Sequence, residues 1–156
     1  MRCSSYLFLL ICIASMTADG QAMGHLNVDT SLYAVLPFNK RVNLAMGIKF
    51  DHPKPTALSS AEIDDMETLI DSAYRSYNSN YPHWQLKTPL SVYRRQYVAI
   101  INGKGQKEVW VNFFCTAFED WRHEVEIVED GGGCFFQLRI NLSLKKIYDL
   151  SPNGLT

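Results

Sequence analysis

The sequence predicts an α+β fold in which one amphipathic helix packs on a four- or five-stranded antiparallel meander. Two patterns lead to this prediction. A capped helical stretch occupies residues 60–77, and alternating polar and apolar residues of the β type run from Tyr93 onward. The scale is that of one globular domain, because the chain has 156 residues, 47% of them hydrophobic, and a net charge of −1.

The predicted helix begins with the spacing of a capping box. Ser59 and Glu62 stand three positions apart, so each side chain can satisfy an unpaired backbone N–H of the first turn. Apolar residues then recur at steps of three and four and form one stripe: Ile63, Met66, Leu69, Ile70, Ala73, Tyr74 and Tyr77. The acidic residues are expected to form a solvated face: Glu62, Asp64, Asp65, Glu67 and Asp71. These features predict a helix from Ser60 to Tyr77.

Two hairpins and a weaker strand are predicted after the helix. The runs "RQYVAIIN" and "EVWVNFFC" flank the loop "GKGQK", and the runs "HEVEIVE" and "CFFQLRINL" flank a turn at residues 130–133. Matching the apolar faces of the second hairpin puts Ile127 opposite Phe136. The same register puts Glu124 opposite Arg139, an oppositely charged pair. The run "KKIYDL" predicts one further strand.

The first 22 residues have the layout of a secretory signal peptide. A positive charge at Arg2 precedes an apolar stretch, and small residues follow it up to Ala22. The alternative is a short buried strand or helix at the N-terminus. Residues 23–58 are predicted to be an extended N-terminal segment with an edge strand in "SLYAVLPFN", and residues 59–156 complete the same domain. We therefore expect a secreted or periplasmic protein.

Export would leave Cys115 and Cys134 as the cysteines of the mature protein. An oxidising compartment favours a disulfide between them. In the predicted meander, however, the two residues lie roughly 23 Å apart, because most of a strand separates them. A disulfide needs Cα atoms within about 7 Å. Two buried thiols are therefore the favoured prediction, and the disulfide is the alternative if residues 115–122 fold back or the strand order differs.

The composition and the spacing of polar residues give little basis for predicting nucleic-acid binding, a membrane span, metal binding or catalysis. A near-neutral chain lacks the concentrated basic patch that nucleic acids require, and no apolar run after the N-terminal segment approaches the ~20 residues of a membrane span. His25, His52, His83 and His123 stand apart, so no metal or cofactor is expected. Cys115 and His123 are the nearest nucleophile and base. An enzyme with a cleft between helix and sheet is thus a third hypothesis, and no catalytic residue is predicted.

The remaining signal lies on the second face of the sheet, which is the side that the helix leaves free. The first face carries Val109, Val111 and Phe113. Aromatic side chains framed by hydrogen-bonding groups are typical of recognition surfaces. We therefore predict a non-enzymatic module that binds a protein, peptide or envelope ligand through six exposed side chains: Trp110, Asn112, Phe114, Phe135, Gln137 and Arg139. The alternatives are that residues 26–50 cover this face or that a homodimer forms through it.

The stretch "RQYVAIING" resembles the inhibitory hairpin motif of cystatins, Gln-x-Val-x-Gly. Gln96 and Val98 match the motif, Ile100 stands where its glycine belongs, and Gly103 closes the stretch. Trp121 is similar to the tryptophan of the second cystatin hairpin, and the order of helix and strands resembles the cystatin-like α+β arrangement. The resemblance implies inhibition of a cysteine protease through these residues.

A second resemblance covers roughly residues 55–154. The segments "YRRQYVAIINGKGQKEVWVNFFC" and "EDGGGCFFQLRINL" and the closing "SPNG" resemble a group of uncharacterised secreted proteins from Bacteroidetes-type bacteria. This resemblance implies an exported bacterial protein. It carries no activity, ligand or site residue with it.

Overall fold

The computed structural model describes residues 29–39, 47, 50–86, 89–116 and 118–154. The signal-peptide prediction therefore lies outside the described residues. The helix and strands follow one another in this order: β1 Tyr33–Leu36, β2 Lys54–Pro55, α1 Ser60–Asn80, β3 Arg94–Ile101, β4 Lys107–Phe114, β5 Phe135–Asn141 and β6 Lys146–Pro152.

The predicted helix is confirmed, and α1 continues to Asn80. Ser59 is its N-cap residue: its hydroxyl accepts from the backbone N–H of Glu62 at 3.3 Å, and its own N–H donates to the Glu62 carboxylate at 2.8 Å. The apolar stripe faces the sheet, with Ile63, Met66, Ile70 and Tyr74 buried in the core. One acidic residue departs from the prediction. Glu67 is only 5% exposed, so the expectation that it is solvated was wrong.

The α+β prediction is confirmed, with α1 packed on a six-stranded sheet. The strand order is β1-β3-β4-β5-β6, and β2 pairs with the end of β3. All pairings are antiparallel except that of β1, which runs parallel to β3. β1 is an edge strand that ends just before Pro37, as its sequence predicts. The β3–β4 hairpin is also as predicted, with its turn closed by a bond from the Asn102 N–H to the Gln106 carbonyl at 2.9 Å.

The predicted second hairpin was wrong, because "HEVEIVE" forms no strand. β5 pairs directly with β4, and its other neighbour is β6. Phe136 therefore lies beside Phe113, and Ile127 is 51% exposed. Arg139 pairs with Tyr148 in β6 rather than with Glu124. The faces assigned to β5 are nevertheless correct, since Phe136 is fully buried on the α1 side.

The preference for two buried thiols was also wrong, because Cys115 and Cys134 form a disulfide with a Cα–Cα distance of 5.3 Å. Direct pairing of β4 with β5 brings the end of one strand beside the start of the next, with Phe114 opposite Phe135. The Cys115 N–H also donates to the Cys134 carbonyl at 3.1 Å. The separation expected from the sequence depended on an intervening strand that does not form.

The first face of the sheet is an aromatic and aliphatic core sealed by α1. Phe113 and Phe136 stack with ring centroids 4.1 Å apart and planes 6° from parallel, and the ring of Tyr93 meets both edge-on. All three are fully buried. The predicted inward positions Val109 and Val111 belong to the same cluster. Apolar packing of this kind is the main stabilising contribution to a small domain.

Candidate functional site

The second face is covered where it crosses β3 and β4. Trp110 is 1% exposed, Asn112 6% and Phe114 0%, so the prediction that these three side chains are exposed was wrong. Trp121 packs edge-on against Phe114, with ring centroids 5.6 Å apart. Residues from the N-terminal segment complete this second cluster: Ala34, Leu36 and Phe50. The alternative that residues 26–50 cover this face thus holds for Ala34, Leu36 and Phe50 of that segment. The loop around Trp121 covers the remaining part of β3 and β4.

Two buried amides hold that loop on the sheet. Gln96 donates from Nε2 to the carbonyls of Trp121 and Glu124, at 2.5 and 2.6 Å, and its Oε1 accepts from the Glu126 N–H at 3.0 Å. Asn112 donates from Nδ2 to the Glu126 carbonyl at 2.7 Å. Backbone groups of the loop thereby obtain partners without joining the sheet. This network accounts for the position of "HEVEIVE" across the sheet rather than within it.

The residues that resemble the cystatin hairpin occupy different environments. Gln96 and Val98 are fully buried in the middle of β3, and Trp121 is 7% exposed. Gly103 lies in the β3–β4 turn, where its N–H donates to the Asp51 carbonyl at 2.8 Å. Contacts with a protease require accessible side chains. Inhibition of a cysteine protease stays a prediction, and three of its four residues are inaccessible in this structure.

Over β5 and β6, the described residues leave two cavities on the second face, and Arg139 lines both of them. One has a volume of about 280 Å³ and is lined by Trp110, Gln137, Arg139, Asp149 and Ser151, among others. The other, of about 290 Å³, is lined by Arg139 together with Phe50, Asp51, Asn102, Lys104, Gln106, Glu108, Leu144 and Tyr148. We call the two cavities together the Arg139 groove. Three of the six predicted residues line the groove: Trp110, Gln137 and Arg139. Phe135 is instead half-buried against Phe118, with 6.3 Å between the ring centroids.

Arg139 is held at the centre of the groove by its neighbours on β6. Its guanidinium forms an ion pair with the Asp149 carboxylate at 2.9 Å and lies 5.4 Å from the ring centroid of Tyr148. Its Nε is buried and has no hydrogen-bond partner among the described residues. On the β4 side, the Trp110 indole N–H donates to Gln137 Oε1 at 3.2 Å. The groove therefore offers oriented hydrogen-bonding groups around a neutralised ion pair.

The β6 residues of the groove were missed by sequence reasoning. The run "KKIYDL" was assigned to a strand, but its faces were not assigned. Alternation opposite Arg139 would have identified Tyr148. Asp149 could not be found in this way, because the register shifts between Gln137 and Arg139 and Asp149 has a φ of 49°. Such an irregularity redirects side chains and leaves no periodic signal in the sequence.

A second polar cluster is buried on the first face. The Glu67 carboxylate lies 3.2 Å from the Arg95 guanidinium and accepts a hydrogen bond from the Tyr97 hydroxyl. Burial raises the pKa of Glu67, and the charge of Arg95 opposes that shift. Burial also raises the pKa of Tyr97 well above its ordinary value, and nearby Glu67 adds to the effect. None of the three is more than 5% exposed, so the cluster joins α1 to β3 and is inaccessible to a ligand.

The thiol-enzyme hypothesis loses its nucleophile, because Cys115 is in the disulfide. His123 is exposed and pairs with Asp120 at 2.6 Å. In the part of the chain that the structure describes, no group of three or more His, Cys, Asp or Glu side chains could hold a metal ion. No helix among the described residues is long and apolar enough to cross a membrane.

Comparison of the chain with protein-family models, with curated proteins and with solved structures found no match. The resemblances to cystatins and to secreted Bacteroidetes-type proteins therefore stay predictions. Any function has to be proposed from the geometry of this chain alone.

Proposed function

We propose that this protein is an exported, non-enzymatic module that binds a protein, peptide or envelope ligand in the Arg139 groove. The observation that supports the proposal is the convergence of Trp110, Gln137 and Arg139 with Tyr148 around two adjoining cavities of about 280 and 290 Å³. Ligand pockets in proteins are typically about 300–1,000 Å³, and each of the two cavities is close to the lower end of that range.

The groups in the groove are suited to recognition by directional hydrogen bonds. Arg139 and Asp149 neutralise each other, whereas Asp51, Lys104 and Glu108 also line the second cavity and give it charged groups of both signs. The guanidinium keeps one buried donor, Nε, without a partner among the described residues. An unpaired buried donor is unfavourable, and a ligand oxygen that shifts the guanidinium would remove this cost. The amide of Gln137 lies along one side of the cavity, and the buried Trp110 behind it donates its indole N–H to Gln137 Oε1.

Export is part of the same proposal. A disulfide between Cys115 and Cys134 is the form that two cysteines take in an oxidising compartment. Expression with the native N-terminus in a secreting host should yield a mature chain that begins after Ala22, as sequencing of its N-terminus would detect. Retention of the first residues in the exported protein would contradict the signal-peptide prediction.

The proposal is tested by probing peptide and glycan arrays with the mature protein and measuring the affinity of each hit. Replacing Arg139 by Gln should weaken a genuine groove ligand by about tenfold, since hydrogen bonds to charged groups contribute about 1.5–3 kcal/mol. Arg75→Gln is the matched control, because Arg75 also pairs with a carboxylate, Asp71 at 2.9 Å, but lies on α1. A hit that survives Arg139→Gln, or an absence of hits on both arrays, would contradict the proposal.

A second copy of the chain is the alternative occupant of the groove. Sedimentation equilibrium distinguishes the two, because a homodimer would dissociate on Arg139→Glu and remain intact on Arg75→Glu. If the wild type and both variants are monomers, the groove is free for a ligand. A dimer that depends on Arg139 would replace ligand binding by self-association.

A further inference from the structure

Asparagine followed by glycine occurs twice in the sequence, at Asn102-Gly103 and at Asn153-Gly154. In such a pair the glycine backbone nitrogen can attack the side-chain carbonyl of the asparagine, because glycine has no Cβ to hinder the approach. The product is a cyclic succinimide, and its hydrolysis completes a spontaneous deamidation. The two pairs lie in different surroundings, and the difference selects one of them for this reaction.

Asn102-Gly103 is held rigidly in the β3–β4 turn. The attacking nitrogen is occupied, since the Gly103 N–H donates to the Asp51 carbonyl at 2.8 Å. The side chain of Asn102 is also fixed, because its Oδ1 accepts from the backbone N–H groups of Lys104 and Gln106 at 2.9 and 3.0 Å. A Cβ on Gly103 would lie 2.6 Å from the Asp51 carboxylate, so the turn is packed closely against that residue.

Asn153-Gly154 is open by comparison. It follows β6, and Gly154 is exposed. Among the described residues, the Gly154 N–H donates to no group, and Asn153 Oδ1 accepts from none. A Cβ added at Gly154 would meet no heavy atom within 4 Å. The attacking nitrogen of this pair is therefore unbonded and has space to move, in contrast to that of Asn102-Gly103.

Asn153 is also a structural contact. Its Nδ2 donates to the Val128 carbonyl and, at 3.4 Å, to the Asp130 carbonyl. The Gly154 carbonyl accepts from the Gly132 N–H at 3.2 Å. These bonds join the residues that follow β6 to the loop that precedes β5.

We propose that Asn153 is a site of spontaneous deamidation and that its conversion releases the residues after β6 from this loop. The Gly154 nitrogen attacks Asn153 Cγ, so that an N–C bond forms and the Cγ–Nδ2 bond breaks. The proton of the Gly154 N–H leaves with the amide nitrogen as ammonia. Water then adds to either carbonyl of the succinimide and opens the ring to aspartate or isoaspartate. Water is the only co-reactant.

The product cannot keep the contacts of the amide. An ionised carboxylate only accepts hydrogen bonds, so it faces the carbonyl oxygens of Val128 and Asp130 without a donor. Glu129 and Asp130 in the same loop are acidic and oppose a further negative charge. Isoaspartate also adds one methylene to the main chain and displaces the Gly154 carbonyl from the Gly132 N–H. Because the reaction is irreversible, the released form accumulates as the protein ages.

Peptide mapping by mass spectrometry tests the proposal. The mature protein, with its disulfide intact, is incubated at mildly alkaline pH, and the conversion of each asparagine to a carboxyl group is followed over time. We expect Asn153 to react at least about tenfold faster than Asn102, because attack at Asn102 requires several hydrogen bonds to break first. The reduced and denatured chain is the reference, in which the two sites should react at similar rates.

Two variants separate the reaction from its structural effect. Gly154→Ala places a methyl group in open space at a residue without a positive φ, so the fold should be kept. The methyl group hinders the attack, so the reaction at Asn153 should slow several-fold. Asn153→Asp reproduces the aspartate product. In that variant hydrogen exchange should accelerate in residues 128–132 and remain unchanged in the β3–β4 hairpin.

Equal rates at Asn153 and Asn102 in the folded protein would overturn the assignment of the site. A rate at Asn153 that Gly154→Ala leaves unchanged, when circular dichroism shows that the variant is folded, would overturn the attack by the Gly154 nitrogen. Unchanged exchange of residues 128–132 in Asn153→Asp would overturn the release of the loop. None of these measurements uses a ligand, so their outcomes are independent of the Arg139 groove.

Discussion

The two faces of the sheet are closed by different means. On the first face, α1 covers a continuous apolar cluster, and Glu67 with Arg95 is the polar contact between helix and strand. On the second face, short segments cover β3 and β4, and two buried amides hold one of them, residues 121–126, through its backbone groups. Among the described residues, the segments that cover β3 and β4 do not extend over β6, where the Arg139 groove lies. The first face, packed regularly against α1, is therefore closed. The second face, covered by irregular segments, leaves room for a ligand.

The two faces should differ most in the free energy of unfolding that is lost when a phenylalanine on each face is replaced by alanine. Phe136→Ala should lower the free energy of unfolding by about 3–5 kcal/mol, because it leaves a cavity beside Phe113 in a tightly packed cluster. Urea denaturation measures the change. Phe135→Ala, on the second face and half-buried, is the control and should cost clearly less. Equal losses would show that the faces are packed equally tightly.

Removing the disulfide should have the next largest effect. The bridge closes a segment with a sequence separation of 19, so the Cys115→Ala, Cys134→Ala double variant should be less stable by about 3 kcal/mol. The native protein should show no free thiol at either position when titrated under denaturing conditions. Detection of two free thiols in protein purified from an oxidising compartment would contradict the Cys115–Cys134 disulfide.

A smaller and local effect is expected at the amide network. Gln96→Ala leaves the Trp121 and Glu124 carbonyls and the Glu126 N–H without their partner, so we expect a loss of roughly 1–3 kcal/mol. Hydrogen exchange should accelerate in residues 121–126 and remain slow in β3 and β4. Gln85→Ala, which removes an exposed amide, is the control. Unchanged exchange in the loop would show that Gln96 does not hold it.

The smallest effect concerns the pH dependence of the first face. Burial raises the pKa of Glu67, so the folded protein binds this proton more tightly than the unfolded chain. The contribution of Glu67 to stability is then fully present below its ordinary pKa of 4.5 and is lost as the pH rises through its folded-state pKa. Glu67→Gln does not titrate. Its free energy of unfolding relative to wild type should therefore rise as the pH increases from below 4.5 through the folded-state pKa of Glu67.

That difference is measured by urea denaturation across the pH range, and its slope is the informative quantity. A difference in free energy of unfolding that is the same at every pH reports only the loss of the charge opposite Arg95. Asp65→Asn is the control, because Asp65 is an exposed carboxylate of the same helix. A difference that falls as the pH rises would reverse the direction assigned to Glu67.

Much of the first face could be predicted from the sequence because its signals are local. The capping box at Ser59, the apolar stripe of α1 and the β3–β4 turn all depend on neighbours within a few residues. The partner of Glu67 is not local: Arg95 approaches it only after the sheet has formed. A carboxylate within an acidic run gives no sign of such burial.

The second face was predicted less well because competing pairings satisfy the same pattern. The apolar residues of β5 fit opposite "HEVEIVE" and fit opposite β4 equally well, and alternation alone cannot choose between them. Pairing with β4 exposes Ile127 and frees the loop to be bound by Gln96. The positions of Gln137 and Arg139 on the second face follow from the alternation of β5 alone, whereas the position of Asp149 depends on an irregularity in β6.

The state of the second face is tested most directly by acrylamide quenching of tryptophan fluorescence in the variant Trp84→Phe. This variant keeps Trp110, which lies beneath the cover of β3 and β4, and Trp121, which belongs to that cover and packs against Phe114. A closed face predicts blue-shifted emission and weak quenching, much weaker than in the wild type, where Trp84 is 59% exposed. Red-shifted emission with quenching as strong as in the wild type would show that the cover is absent and that Trp110 meets solvent.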